Sequence, residues 1–298
     1  MTAMLHCLVG DIAAEIRAAV PRGWFGANDD SGGIVEVLTR AGLLDEPELM
    51  ALVLRRADEE RIGTACRARS GRRDSRAIQA LVSSDNGAVS AAAMALILAR
   101  GRRRDRFGQC LVAFDDLSLQ SAGRLANAIA AASRSEVAAA KGPAAADAEL
   151  SGAAAELVER HDPSRGVDAL TRTLAATLDE GGGLTDEFLL SCAQEGEVGL
   201  LGEAFARRAG ISGHVAFDEL LSGDASRAMM LLRIGGASRE LSAGLLASIG
   251  DLLGVTDPGA AIGVFDRMTA EEIQEGAAWL RAASAYRSAL ERLGIANG

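Results

Sequence analysis

The sequence predicts an all-α protein, a HEAT-like stack of short antiparallel helices arranged as two related halves. Three observations predict it. First, residues 62–85 align without gaps on residues 201–224, so that Gly63, Ala65, Arg69, Gly71, Ala77, Leu81, Ser83 and Asp85 recur as Gly202, Ala204, Arg208, Gly210, Ala216, Leu220, Ser222 and Asp224. Second, aromatic residues make up only 3% of the 298 positions, while alanine and leucine dominate. That composition suits closely packed helices rather than strands, which favour β-branched and aromatic side chains. Third, glycines punctuate apolar segments of 10–15 residues. Helices that short are marginal alone and take their order from lateral packing against the next repeat.

The segments follow in order. In the first half, helices are expected at 3–19, 32–41, 46–56, 59–69, 74–83, 87–99, 105–114 and 118–134. Asp45-Glu46-Pro47-Glu48 opens the third of these with an N-cap acceptor, a first-turn proline and a glutamate three positions on. Asp58-Glu59-Glu60 reads as an acidic helix start, favourable against the helix dipole. The stretch 138–152 lacks bulky side chains and contains the breaker Gly142-Pro143, which makes it the expected boundary between halves 1–140 and 147–298.

The second half is expected to carry helices at 148–160, 165–179, 186–194, 197–209, 213–221, 225–233, 239–252, 258–265 and 270–292. Asp162-Pro163 and Asp257-Pro258 each read as a cap followed by proline at the first helical position, and Thr269 with Glu272 has capping-box spacing. Leu241, Leu245 and Ile249, with Leu246 beside them, form one apolar stripe at helical period. Two weaker matches extend the duplication. Gly42–Glu46 resembles Gly183–Glu187, and Phe114-Asp115 with Leu117-Ser118 resembles Phe265-Asp266 with Met268-Thr269, the latter after about a dozen extra residues.

The formal charge is −10, yet residues 51–110 hold 13 Arg against six acidic residues, leaving the remainder near −17. Lys141 is the only lysine. The acidic balance and the absence of a nucleic-acid module disfavour nucleic acid as a partner. Four dispersed cysteines without a CxxC pair fit a reduced compartment. Asp11, Glu15 and Arg17 interrupt the apolar N-terminal stretch, so neither a signal sequence nor membrane insertion is expected.

The sharpest local anomaly is the turn Arg100–Arg106. Its Arg102, Arg103, Arg104 and Arg106, with Arg72, Arg73 and Arg76 from an earlier inter-helix position, are the candidate contact residues. In a stack of helix pairs successive turns share an edge, where such guanidiniums would meet carboxylates or phosphates. A plain solvated face is the ordinary reading of a charge run, and an acidic protein segment is the leading functional one. Other chemistry is poorly supported. His6-Cys7, His161 and His214 lack zinc-ligand spacing. Gly181-Gly182-Gly183 lacks the GK[ST] of a phosphate loop. Cys66 and Cys192 read as core thiols; Cys110 reads so too, although the nearby arginines would depress its pKa. No catalytic residue, metal or cofactor is expected.

The stretch Leu184–Leu190, then Glu195–Gly210, followed by Phe217–Leu221, Ala228–Arg233 and the helix Ser238–Gly250, resembles the bacterial family numbered 2336 among the domains of unknown function. The resemblance implies a right-handed, HEAT-like superhelix and a cytoplasmic bacterial protein, and it supplies no catalytic residues. Members carry bulkier apolar residues at positions 199 and 202, so the helix bearing Gly199 and Gly202 is expected to be irregular. The resulting functional expectation is a protein–protein interaction scaffold. Nucleic-acid binding through an arginine-rich edge and an enzyme of unknown class remain open beside it.

Overall fold

The computed structural model describes residues 2–21, 23–25, 31–71 and 75–294. Among them are seventeen α-helices: α1 (Thr2–Ala19), α2 (Ser31–Arg40), α3 (Pro47–Ser70), α4 (Arg76–Leu81), α5 (Gly87–Arg102), α6 (Leu119–Ala132), α7 (Arg134–Lys141), α8 (Pro143–Glu159), α9 (Val167–Glu180), α10 (Asp186–Glu195), α11 (Val198–Ala209), α12 (Gly213–Leu220), α13 (Ala225–Ile234), α14 (Arg239–Ile249), α15 (Pro258–Arg267), α16 (Ala270–Arg281) and α17 (Ser284–Arg292). Two single-turn 3-10 helices, Phe114–Asp116 and Pro163–Arg165, complete the inventory. The protein is all-helical, with repeated helix pairings.

Two compact units emerge, one of residues 1–60 and 96–170, the other of residues 61–95 and 171–298. The division falls inside α3, α5 and α9. Residues 61–95 pack with the C-terminal helices, α4 against α10 among them. Gly142-Pro143 lies inside the first unit as a tight helix joint, with Gly142 at φ +86° and Pro143 opening α8.

In the first unit α6 packs on α8 and α7 on α8, while α1 meets α2, α6 and α8. Each helix contributes one stripe to a common core: Leu8, Ile12 and Ile16 from α1, Leu38 from α2, Leu125 and Ile129 from α6, and Leu150, Ala154 and Leu157 from α8. Alanines Ala122, Ala126, Ala146 and Ala153 let these helices approach closely.

The second unit pairs consecutive helices, α10 with α11, α11 with α12 and α12 with α13, and adds α10 on α14 and α13 on α15 and α16. Its centre holds Leu189, Leu201, Phe205, Ala216, Leu231, Leu245 and Phe265. Local chemistry sets the helix starts. Ser212, Asp224, Ser238, Asp257 and Thr269 each accept a first-turn N–H, and Thr269 with Glu272 closes the expected capping box.

Several expectations are corrected. Segments 46–56 and 59–69 form the single helix α3, in which Glu59 is held by Arg56 one turn earlier instead of starting a helix. The helix expected at 105–114 is replaced by a hairpin, because Gly108 at φ +80° and the Asp105 side chain close a turn there. The long final helix breaks at Ala282, which is extended at ψ 147°. Helix α7 was not anticipated. Glycines 199 and 202 lie within α11, Val198–Ala209, which is continuous, and Gly202 faces Phe217 of α12 at a distance that would also admit a Cβ.

Candidate functional site

The arginine turn is built outward from a buried brace. The C-terminal end of α5 delivers Arg103 inward, where its side chain is 9% exposed. Arg103 Nε donates to Asp116 Oδ2 at 2.7 Å, Nη1 to the Ala99 carbonyl at 3.1 Å and Nη2 to the Arg165 carbonyl at 3.1 Å. Asp116, in the first 3-10 turn, is closed to solvent and also accepts the backbone N–H groups of Ala113 and Val167, both at 2.8 Å. Buried charges persist when paired and fully hydrogen-bonded, and this pair meets that condition.

A second cluster, centred on one buried guanidinium, lies in the same unit. Arg56, 2% exposed, donates to Glu59 at 2.6 Å and to Asp168 at 2.5 Å, and Asp168 also takes Arg55 at 3.3 Å. Burial would lower the Arg56 pKa, but Glu59, Asp168 and Asp116 more than reverse that effect, so the guanidinium remains charged. These groups tie α3 to the start of α9, on which the Val167 N–H meets Asp116.

From Arg103 the chain reverses through a small hairpin. Arg104 and Cys110 form an antiparallel bridge, the Leu111 N–H donates to the Arg103 carbonyl at 2.8 Å, and the Asp105 N–H donates to the Gln109 carbonyl at 3.0 Å. Asp105 Oδ1 accepts the N–H groups of Phe107 and Gln109, both at 2.8 Å. Arg104 crosses the loop to the Gly108 carbonyl at 2.6 Å and reaches Glu60 at 3.2 Å. At the tip Phe107 is 74% exposed, and the Arg106 guanidinium lies over its ring at 4.7 Å from the centroid. The hairpin is thus internally hydrogen-bonded and anchored at its base.

Of the seven arginines singled out in the sequence, Arg102, Arg104 and Arg106 are exposed on this turn. Arg103 instead turns inward, with three of its donors occupied by Asp116 and by the Ala99 and Arg165 carbonyls. Arg76 is exposed at the start of α4, in the other unit, and Arg72 and Arg73 lie outside the described residues. Sequence reasoning missed Phe107. The signal was an aromatic residue inside a turn-forming Asp105-x-x-Gly108, read there as helix.

Cys110 does not carry a depressed pKa. Burial pushes the thiol up, and Glu60 and Glu59 add to the rise against the opposing Arg56 and Arg104. His161 Nε2 lies 3.1 Å from the Leu117 carbonyl, with the ring edge-on to Phe114. No group of three or more metal-ligating side chains occurs among the described residues, and no described helix is long and apolar enough to cross a membrane. The Glu272 carboxylate belongs to its capping box.

Comparison with known families finds a match over residues 35–276, a span that includes the whole hairpin and both ion clusters, to a family described as uncharacterised protein conserved in bacteria (DUF2336). No curated protein and no solved structure matches.

Proposed function

We propose, from the premise that the chain belongs to the bacterial family DUF2336, that it is a protein-interaction scaffold that receives an acidic segment of a partner on its arginine hairpin. The observation that carries this reading is the Arg103–Asp116 brace. It holds a short, strongly cationic turn in one shape at the cost of two buried charges, and a merely solvated turn needs no such support. A pre-ordered turn loses little freedom on binding, and arginine forks match carboxylates in geometry. The acidic remainder of the chain disfavours long polyanions, and with Arg103 turned inward the nucleic-acid alternative loses one of its contacts. The enzyme alternative is weakened by the carboxylates: Glu59, Asp116, Asp168 and Glu272 are occupied by ion pairs or caps.

HEAT-like pairing in two duplicated halves, and a cytoplasmic location, complete the proposal. The duplication is supported by Gly71 and Gly210, which end α3 and α11 at φ +67° and +66°, each followed by a short helix, α4 or α12, and then by α5 or α13. The correspondence stops at Phe114, which lies in a 3-10 turn where Phe265 lies in α15.

The test is affinity purification of the tagged chain from its native bacterium, with candidates then purified and titrated directly. Wild type is expected to bind a defined partner, and Arg102→Glu/Arg106→Glu to lose it. Neither of those arginines braces the hairpin, so loss of binding reports contact and not misfolding. A chain recovered only as monomer, or a partner indifferent to charge reversal, would overturn the scaffold reading.

A further inference from the structure

The hairpin apex carries a feature that charge alone does not require. The chain has seven phenylalanines, of which Phe25, Phe114, Phe188, Phe205, Phe217 and Phe265 are buried or half-buried and Phe107 alone is exposed. Its side chain serves no core, at 74% exposure. Its backbone, by contrast, is pinned: the Phe107 N–H is held by Asp105, and Gly108 closes the turn beneath it. An aromatic ring carried on an ordered tip has few torsions left to lose, and such rings dominate binding energy at protein interfaces.

The surroundings select the chemistry of what covers it. The Arg106 guanidinium stacks on the ring, and Arg102 and Arg104 are exposed nearby in sequence. The carboxylate of this turn, Asp105, is engaged by backbone N–H groups, and Glu60 on α3 is engaged by Arg104. The apex therefore combines one apolar ring with the exposed Arg106 guanidinium, and Arg102 stands exposed at the end of α5, where the hairpin begins.

Resting on the scaffold reading, we infer that Phe107 is the anchor of this surface and that the partner segment is both acidic and apolar: aliphatic side chains cover the ring while neighbouring carboxylates meet Arg102 and Arg106. A purely acidic segment would leave the ring in water. A purely apolar one would strip water from the guanidiniums without replacing it. Phosphate polymers and anionic lipid surfaces share the charge, but they extend past the arginine turn over the rest of a chain of net charge −10, whereas a short segment meets the turn alone.

The experiment titrates the full chain against short fluorescein-labelled peptides by anisotropy. One alternates Glu and Leu, a second replaces Leu by Ser, and a third replaces Glu by Gln. The Glu/Leu peptide is expected to bind about tenfold or more tightly than either control, and Phe107→Ala to remove about tenfold of that affinity while leaving Glu/Ser binding unchanged. Arg106→Glu is expected to weaken both acidic peptides, more so at low salt. An unchanged urea midpoint in Phe107→Ala keeps the loss assignable to contact. Equal affinity for Glu/Leu and Glu/Ser, or no effect of Phe107→Ala, overturns the anchor. So does tighter, Phe107-dependent binding to oligothymidylate or to phosphatidylglycerol vesicles, which reassigns the tip. If the anchor fails while Arg102→Glu/Arg106→Glu still abolishes binding of the purified partner, the scaffold reading stands without it. If charge reversal also leaves that partner bound, the reading itself falls.

Discussion

Arg103 Nε donates to Asp116 Oδ2 across 2.7 Å in a site where the guanidinium side chain is 9% exposed and the carboxylate fully closed to water. The same carboxylate takes the N–H groups of Ala113 and Val167, so one side chain joins the hairpin base, the 3-10 turn and the start of α9. Neither charge has bulk water to fall back on, which makes the pair indispensable to the geometry of the turn even where its net energy is small.

Removing one partner strands the other. Asp116→Ala is expected to lower unfolding free energy by about 3–5 kcal/mol, because Arg103 is left charged and buried. The double variant Arg103→Met/Asp116→Leu is expected to cost less than the sum of the single changes. Urea unfolding of the four chains checks both statements. Limited proteolysis is expected to open the 104–110 hairpin first in Asp116→Ala.

Two glycines of the second unit should respond in opposite directions. Gly196 sits at φ +75°, and a Cβ there would come within 2.8 Å of the Gly63 Cα. Gly196→Ala combines left-handed strain with a backbone clash and is expected to destabilise by at least about 2 kcal/mol. Gly202 is helical, and its new Cβ would rest 3.6 Å from Phe217, an ordinary contact. Gly202→Ala is expected to stabilise by about 0.5–1 kcal/mol by relieving the entropy of a helical glycine. Thermal melts of both variants against wild type separate the two effects.

Acid should weaken the fold through a defined set of carboxylates. The Arg134 hydrogen bond holds Asp147, and the Arg69 hydrogen bond holds Asp251, below the ordinary 3.8; Ser164 does the same for Asp162, and the Thr269 backbone holds Glu272 below 4.5. A depressed carboxylate pKa contributes stability that is present above the unfolded value and lost as pH falls through the folded one. Asp11 has the opposite sign: burial, then Glu15, raises its pKa, so its contribution is lost as pH rises through the folded value. With four groups against one, unfolding midpoints are expected to change little from pH 7 to pH 5 and to drop between pH 4 and pH 2.

Cys110 should alkylate slowly at neutral pH. Burial is the main cause of its raised pKa, and the thiolate is the nucleophile. In a Cys7→Ser background, with Cys66 and Cys192 buried, the iodoacetamide rate is expected to rise steeply only above the ordinary thiol range. Rapid labelling at pH 7 would instead mean that the arginines control this sulfur.

The helical class, most helix starts and the location of the cationic turn are legible in the amino-acid order alone, since all three depend on chemistry within a few residues. Thr269 and Glu272 close a cap three positions apart, Asp257 caps α15 ahead of Pro258, and Arg102 ends α5 just ahead of the turn that carries Arg104 and Arg106. What those local groups do depends on partners far away in the chain. Whether Asp58-Glu59-Glu60 starts a helix or lies inside one depends on Arg56, which in turn answers to Asp168, 112 residues away. Whether Arg103 faces solvent depends on Asp116 and on the Arg165 carbonyl, 62 residues away. Phe107 stands at the tip because the hydrogen bonds of Asp105 and Gly108 close the turn there, with the ring directed away from any core. Caps and periodicities are read from adjacent residues, but the burial of a charge is set by acceptors that only the folded chain brings to it.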